Sequence, residues 1–112
     1  MTDSGEPLGE GEGRRKLVAI MCADVAGYSR LMGDDDEATL RTLTEYRKIM
    51  FDRVSRHNGR IVDAPGDAIL AEFASAVEAI DSGCEIQYEF RRRNEQLADH
   101  RKMEFRIGIN LG

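Results

Sequence analysis

The fold of this chain is decided by the stretch Lys16-Leu-Val-Ala-Ile-Met-Cys-Ala-Asp24-Val-Ala-Gly-Tyr-Ser29, in which an apolar run ends at a carboxylate and a glycine-bearing loop follows. The apolar run, residues 17–23, predicts a strand that is buried on both faces. Downstream, the turn Asp63-Ala-Pro-Gly-Asp67 places a second carboxylate beside another apolar run. Two acidic residues at two strand ends suggest a metal site, and the glycine loop beside the first suggests phosphate.

The composition and net charge of the chain limit the classes of protein to which it can belong. The 112 residues suit one domain, and 41% hydrophobic with 33% charged residues predicts a soluble globular protein. A net charge of −5 disfavours nucleic-acid binding but leaves room for a nucleotide held through Mg²⁺. The longest apolar run is too short to cross a membrane. Residues 1–14, acidic and glycine-rich, predict a disordered tail without a signal peptide, so we expect a cytoplasmic domain at residues 15–112.

The two cysteines and two helices are predicted from spacing. Cys22 and Cys84 fit no zinc-binding spacing, so we expect two buried, reduced thiols. Acidic caps at residues 33–36 predict a helix that ends at Asn58-Gly59, where Gly59 would adopt the left-handed conformation. The inner face of that helix is predicted to hold Leu40, Leu43, Tyr46 or Arg47, Met50 and Val54. A capping box at Ser75 and Glu78 opens a second helix, whose inner face is predicted to hold Val77, Ile80, Cys84 and Tyr88, widened by Ile86 and Phe90.

The strands complete a ferredoxin-like pattern. Residues 60–64 and 68–73 predict a hairpin in which Pro65 and Gly66 are the central residues of a type II turn. Residues 103–111, which alternate from Phe105 onward, predict a last strand. The order βαββαβ predicts an α+β fold with a four-stranded antiparallel sheet and two helices on one face. Right-handed crossovers give the strand order 4-1-3-2. Strand 1 then lies antiparallel to strand 3, so Asp24 and Asp67 are expected to converge.

Paired carboxylates at one edge of a sheet can hold two hard cations, the arrangement that serves phosphoryl transfer. Backbone N–H groups of residues 25–29 suit phosphate oxygens, and Gly27 would let the backbone approach closely. Other interpretations stay open for each carboxylate by itself. Asp24 also suits a helix cap, and Asp67 also suits the last position of a proline-glycine turn.

These residues carry a resemblance to a known family. Ala23-Asp-Val-Ala-Gly-Tyr-Ser-Arg-Leu-Met32 resembles the first metal motif of class III adenylate/guanylate cyclases. Residues 58–62 and 66–70 resemble that family's second metal hairpin, and residues 105–112 resemble the strand that follows. The resemblance runs from about Arg15 to Gly112 with the motifs in the family's order and spacing, and it identifies the N-terminal portion of the catalytic domain.

The resemblance implies a homodimeric enzyme that converts ATP to cyclic AMP and pyrophosphate for signal transduction. It implies that Asp24 and Asp67 bind two Mg²⁺ or Mn²⁺ ions, with the Val25 backbone as a further ligand. One ion would lower the pKa of the ribose 3′-hydroxyl, which then attacks the α-phosphate. The residues that would line the triphosphate are Ala26, Gly27, Tyr28 and Ser29. ATP is the favoured nucleoside triphosphate and GTP the alternative.

Two departures narrow that expectation. The family usually carries an adenine-reading lysine three residues before Gly66, where this chain has Asp63. A carboxylate accepts hydrogen bonds where lysine donates them, so Asp63 either favours guanine or is a solvent-facing hairpin residue. The 112 residues also lack the family's later asparagine and arginine, which leaves no catalytic residue beyond the metal ligands.

We therefore expect negligible cyclase activity from these 112 residues alone, and a sheet edge and helix surfaces left uncovered that favour self-association. The first alternative is a non-catalytic cyclase-like module that binds nucleotide and metal or dimerises. The second is a ferredoxin-like ligand-binding domain without cyclase descent.

Overall fold

Residues 18–111 are described by a computed structural model, and the predicted tail at residues 1–14 lies outside them. The described elements, in chain order, are β1 Ala19–Val25, α1 Tyr28–Asp34, α2 Asp36–Arg56, β2 Arg60–Asp63, β3 Ile69–Phe73, α3 Ala76–Asn94, a 3₁₀ turn at Asp99–Arg101 and β4 Phe105–Leu111.

The four strands form one sheet in the order β2-β3-β1-β4, with every neighbouring pair antiparallel. This confirms the predicted α+β fold and the 4-1-3-2 strand order. Helices α2 and α3 pack against each other and against the sheet. The short helix α1 is an addition to the predicted pattern, and it converts the glycine loop after β1 into the start of a helix.

β1 is buried on one face only, which makes the prediction of a strand buried on both faces wrong. Its exposure alternates, with Ala19, Met21, Ala23 and Val25 buried and Cys22 exposed. No helix among residues 18–111 covers the second face, which we call the open face of the sheet. The strand also extends to Val25, so Asp24 is its penultimate residue and lies on the open face opposite the helices.

Helix α2 begins where the acidic caps predict, since the Asp35 side chain accepts a hydrogen bond from the Ala38 amide at 3.0 Å. Its inner face differs from the prediction where Leu40 is exposed and Thr39 is buried instead. Of the two alternatives left open, Tyr46 and not Arg47 enters the core. The shift by one residue follows from the direction of the helix axis over the sheet, which the apolar spacing alone does not fix.

The C-terminus of α2 shows why a glycine occupies position 59. Asn58, not Gly59, adopts the left-handed conformation, with φ of 61°. The Gly59 amide donates to the Val54 carbonyl at 2.9 Å and the Asn58 amide to the Ser55 carbonyl at 3.1 Å, which is the Schellman pattern. A Cβ at position 59 would lie 2.4 Å from the Phe73 ring. Gly59 is therefore required for close packing, and the predicted reason was wrong.

Helix α3 buries only part of its predicted inner face, since Ile86 and Phe90 are buried as predicted and the other four residues are not. Ser75 caps it as expected, accepting from the Glu78 amide at 3.1 Å. Val77, Ile80 and Tyr88, however, are 68%, 50% and 62% exposed, and Cys84 is exposed as well. The buried residues are Ala79, Ser82, Gly83, Ile86, Phe90 and Asn94. Small side chains in the first half of the helix let it approach the sheet closely, which outweighs the larger apolar surface of the other face.

Both cysteines are free and exposed, so the prediction of two buried thiols was wrong. Cys22 lies on the open face of the sheet and Cys84 on the outer face of α3. Cys22 is exposed because the second face of the sheet is uncovered. Cys84 is exposed because α3 packs on the sheet through a neighbouring set of residues.

The core between the helices and the sheet contains an aromatic cluster and one buried amide. The rings of Tyr46 and Phe90 stack with centroids 4.5 Å apart, and Phe90 lies 5.0 Å from Phe105. The Asn94 side chain accepts from the Tyr46 hydroxyl at 2.7 Å and from the Met103 amide at 3.1 Å, and it donates to the Met103 carbonyl at 3.0 Å. These three hydrogen bonds of the Asn94 amide tie α3 to α2 and to the segment that enters β4. Among residues 18–111, no helix is both long and apolar enough to cross a membrane.

Candidate active site at the end of β1

The turn that carries the second carboxylate is centred one residue later than predicted. The Ala68 amide donates to the Pro65 carbonyl at 2.9 Å, so Gly66 and Asp67 are the central residues. Gly66 has φ of 57°, a left-handed value at the first central position instead of the second position of a type II turn. The shift places Asp67 within the turn itself, where its side chain can turn toward β1.

Asp67 reaches the end of β1 through a hydrogen bond between distant parts of the chain. The Val25 amide donates to Asp67 Oδ2 at 3.0 Å, although 42 positions separate the two residues. β1 and β3 are neighbours in the sheet, with Ala23 opposite Ile69, so the turn before β3 lies beside the end of β1. Asp67 is thereby held against the residue that follows Asp24.

Asp24 pairs with an arginine that the sequence analysis did not single out. Arg106 Nε donates to Asp24 Oδ1 at 2.9 Å, and the two residues are directly opposite across the β1–β4 pair. The alternation of β4 was a usable signal, since it puts Arg106, Gly108 and Asn110 on the face opposite Phe105. The strand order also predicted that β1 and β4 are neighbours, but the register that puts Arg106 opposite Asp24 comes from the structure.

A cavity of about 490 Å³ lies on the open face beside these residues. It is lined by Asp24 and Arg106 from the sheet, by Asp63 and Pro65 from the hairpin, and by apolar atoms around Cys22 and Leu70. Asp67 is not among its lining residues. Asp63 Oδ1 accepts from the Ala64 amide at 2.8 Å, and the side chain is otherwise exposed to solvent. Asp24 at the end of β1 and Asp63 in the hairpin therefore line the same cavity.

The glycine loop lies beside a second cavity. Gly27 has φ of 66° and precedes α1, which no side chain caps. The Ala26 amide is already engaged, donating to the Glu104 carbonyl at 2.8 Å, so it is not free for a phosphate oxygen. Tyr28 and Ser29 form the first turn of α1. The second cavity, about 370 Å³, is lined by Ala26, Gly27, Arg30, Asp99, Lys102 and Glu104.

The residues present fit a divalent ion of the hard class. Asp24 and Asp67 supply carboxylate oxygens, and each carboxylate accepts a hydrogen bond through one of its two oxygens. Residues 18–111 contain no cluster of three or more histidine, cysteine, aspartate or glutamate side chains placed to hold a metal. Mg²⁺ is commonly held by one or two carboxylates, with waters and substrate phosphates completing its shell, so two carboxylates match that ion better than a structural metal.

Comparison with known proteins places this geometry in a family context. The chain is 38% identical over 100 residues to putative adenylate cyclase 3 of Rhizobium meliloti (strain 1021), covering 88% of this chain and 17% of that protein. The structure matches an adenylate/guanylate cyclase/hydrolase from Silicibacter pomeroyi with a TM-score of 0.78 at 38% identity, over 88% of this chain and 58% of that one. It matches the guanylyl cyclase Cya2 with a TM-score of 0.74 at 30% identity, over 89% and 56% of the two chains.

No family model matches the chain. The chain also spans less than two thirds of each of these relatives, and less than a fifth of the R. meliloti protein. The sequence identity, the shared fold and the predicted motifs nevertheless agree with one another. The chain is therefore related to the adenylate/guanylate cyclase domains, and it corresponds to part of such a domain.

Proposed function

We propose that this chain forms the metal-binding part of a nucleotidyl cyclase site, in which Asp24, Asp67 and the backbone of Val25 hold two Mg²⁺ or Mn²⁺ ions. The single observation that supports the proposal most is the hydrogen bond from the Val25 amide to Asp67 Oδ2 at 3.0 Å, which holds the second carboxylate against the residue that follows Asp24. Neither a helix cap nor an isolated turn residue accounts for that long-range contact.

The proposed reaction converts ATP to cyclic AMP and pyrophosphate. The ribose 3′-oxygen forms a bond to the α-phosphorus, the bond from that phosphorus to the bridging oxygen breaks, pyrophosphate leaves and the hydroxyl proton is lost. When bound, the ions supply the charge that lowers the pKa of the 3′-hydroxyl and neutralises the phosphates. Asp24 and Asp67 fix where that charge lies. Gly27, Tyr28 and Ser29, at the N-terminus of α1, are the proposed contacts for the triphosphate, with Ala26 supporting the loop through Glu104.

The base is proposed to lie in the cavity of about 490 Å³ on the open face, where Asp63 occupies the base-reading position. ATP is the favoured substrate because the R. meliloti relative is described as an adenylate cyclase. GTP is the alternative, because guanine offers the N1–H and N2–H₂ donors that an aspartate accepts. The role of Asp63 is tested by measuring how ATP and GTP compete for binding to the Mn²⁺-loaded chain and to its Asp63→Ala variant. Loss of a preference for one nucleotide in the variant supports Asp63 as a reader, and an unchanged preference contradicts it.

The metal site is tested by Mn²⁺ titration of the 112-residue chain, with and without ATP, followed by electron paramagnetic resonance. We expect the Asp24→Asn, Asp67→Asn double variant to raise the Mn²⁺ dissociation constant by at least ~10-fold, since even outer-shell changes cost 10- to 100-fold. Asp81→Asn, an exposed aspartate on α3, is the matched control and should leave the affinity unchanged. An unaltered affinity in the double variant would refute the site.

A non-catalytic module is the second candidate, favoured by the aspartate at position 63, which lines the cavity where the family carries lysine. The two candidates differ in turnover. We expect the isolated 112-residue chain to make negligible cyclic nucleotide, because each missing transition-state donor costs roughly 10²- to 10³-fold. We also propose that it self-associates, as cyclase domains pair. Robust cyclic nucleotide production from Mn²⁺ and ATP or GTP would contradict the expected inactivity.

A further inference from the structure

The turn that carries Asp67 is held from the helix side of the sheet by Arg47. This residue lies on α2, and its Nη2 donates to the Ala64 carbonyl at 2.8 Å and also to the Gly66 carbonyl. The apolar spacing of α2 is compatible with either Tyr46 or Arg47 in the core. In the structure Tyr46 enters the core, which turns Arg47 toward the β2–β3 hairpin.

Few other interactions fix this turn. Its strand partner is irregular, with a register shift between Ile61 and Asp63, and Pro65 and Gly66 are exposed. A Cβ at Gly66 would meet no atom within 4 Å, so packing does not restrain the tip. In the part of the chain that the structure describes, the recorded hydrogen bonds from other elements to residues 64–67 come from Arg47 on one side and from Val25 on the other.

The arginine has a cost that a purely structural residue would avoid. Its Nε is buried and has no hydrogen-bond partner among the described residues. An unsatisfied buried donor opposes folding, so a methionine of similar length would fill the same space without that penalty. What only the guanidinium supplies is a donor group that reaches two carbonyl oxygens of one turn.

We propose that Arg47 is a positioning residue for the metal site, fixing residues 64–66 so that the Asp67 carboxylate lies against the Val25 amide. The predicted effect on metal affinity rests on the proposed function. It requires that Arg47, which would not contact the ions, influences how tightly they bind. Arg47 acts through the turn carbonyls, and Asp67 supplies the ligand atoms.

The test compares Arg47→Met and Arg47→Lys with Lys48→Met, an exposed neighbour on the same helix. Mn²⁺ binding to the 112-residue chain is measured under conditions where urea titration shows each variant to be fully folded. We expect Arg47→Met to weaken Mn²⁺ binding roughly 10-fold, as loss of outer-shell support does elsewhere. Arg47→Lys should weaken it less, because one ammonium can still reach one carbonyl, and Lys48→Met should have no effect.

A second measurement separates this inference from the metal site itself. Amide hydrogen exchange at Val25 reports the bond to Asp67 in the absence of any metal. We expect faster exchange at Val25 in Arg47→Met and Arg47→Lys, with exchange at Met21, in the middle of β1, unchanged.

Each outcome has one meaning. Faster exchange at Val25 in the Arg47 variants supports the positioning role. If the wild-type chain also fails to bind Mn²⁺, the proposed metal site is refuted and the positioning role is not. Wild-type exchange at Val25 in a folded Arg47 variant, or Mn²⁺ affinity within twofold of wild type while the Asp24→Asn, Asp67→Asn variant loses binding, would overturn the inference.

Discussion

The two faces of the sheet in this molecule are built from the same strands but hold different kinds of residue. The face beneath α2 and α3, the closed face, carries Met21, Ile69 and Phe73, each at most 2% exposed, and Phe90 of α3 packs in the same core. The open face carries Cys22, Asp24 and Arg106 around a cavity of about 490 Å³. Alternation along each strand therefore separates residues that stabilise the fold from residues that are available for chemistry.

This comparison predicts that substitutions on the closed face change stability most. Phe90→Ala removes a ring that stacks on Tyr46 and contacts Phe105, and we expect it to lower the free energy of unfolding by roughly 3–5 kcal/mol. Tyr88→Ala, on the exposed side of the same helix, should change it by less than about 0.5 kcal/mol. Urea unfolding measures both, and equal effects of the two substitutions would break the distinction between the helix faces.

Two glycines provide a smaller and sharper test. A Cβ at Gly59 would lie 2.4 Å from Phe73, so Gly59→Ala should cost about 1–3 kcal/mol through overpacking. A Cβ at Gly108, on the open face of β4, would meet no atom within 4 Å. Gly108→Ala should therefore be neutral or stabilising, and the melting temperatures of the two variants should move in opposite directions or by clearly different amounts. A large destabilisation by Gly108→Ala would show that the open face is covered.

Burial beneath the helices should also make the stability of the protein depend on pH in the alkaline range. Burial raises the pKa of Tyr46 to about 12, with partial opposition from Arg93. An unfolded tyrosine ionises near pH 10, whereas the folded one stays protonated to higher pH. The contribution of the neutral Tyr46 side chain to the stability of the folded state is therefore fully present below pH 10. It is lost as the pH rises toward 12. The loss should be on the order of 1–2 kcal/mol, since part of the pKa difference is screened by solvent.

Chemical denaturation of wild type and Tyr46→Phe between pH 8 and pH 12 checks this effect. The variant should lack the part of the alkaline loss that belongs to Tyr46, and Tyr88→Phe is the exposed control. An identical pH dependence in Tyr46→Phe and wild type would contradict the prediction.

The smallest effect on stability is expected on the open face. Arg106 and Asp24 form an ion pair at 2.9 Å in which both side chains are largely exposed, and such pairs contribute about 0–1 kcal/mol. Arg106→Gln should accordingly leave the unfolding midpoint close to that of wild type. A loss of stability comparable to that of Phe90→Ala would mean that the open face, too, is part of the stabilising core.

The elements that local sequence patterns specify were predicted well. Asp35 caps α2 and Ser75 caps α3 because a side-chain oxygen three residues before an amide has only a short distance to bridge. The strand order followed from the βαββαβ pattern and the handedness of crossovers. With that order in hand, the approach of Asp67 to the end of β1 was also foreseeable, whereas its role as a metal ligand stays a prediction.

Errors arose where a pattern allows more than one packing. Helix α3 has apolar residues on two faces, and the spacing of Val77, Ile80 and Tyr88 is as helical as that of Ala79, Ile86 and Phe90. Local sequence does not record how closely the helix will approach the sheet, which is what favours the face with small residues. The burial predicted for Cys84 failed for the same reason, whereas that of Cys22 failed because no helix among residues 18–111 covers the open face.

The sequence by itself determined the four strands, the two long helices, their order and the two carboxylates, because caps, turns and alternation act over a few residues. Only the tertiary structure decided that one face of the sheet is open, that Arg106 pairs with Asp24, and that Arg47 holds the turn before β3. The last of these joins residues 17 positions apart, and the second joins residues 82 positions apart. Contacts of that kind depend on which surfaces meet when the helices pack on the sheet, and short-range patterns carry little information about them.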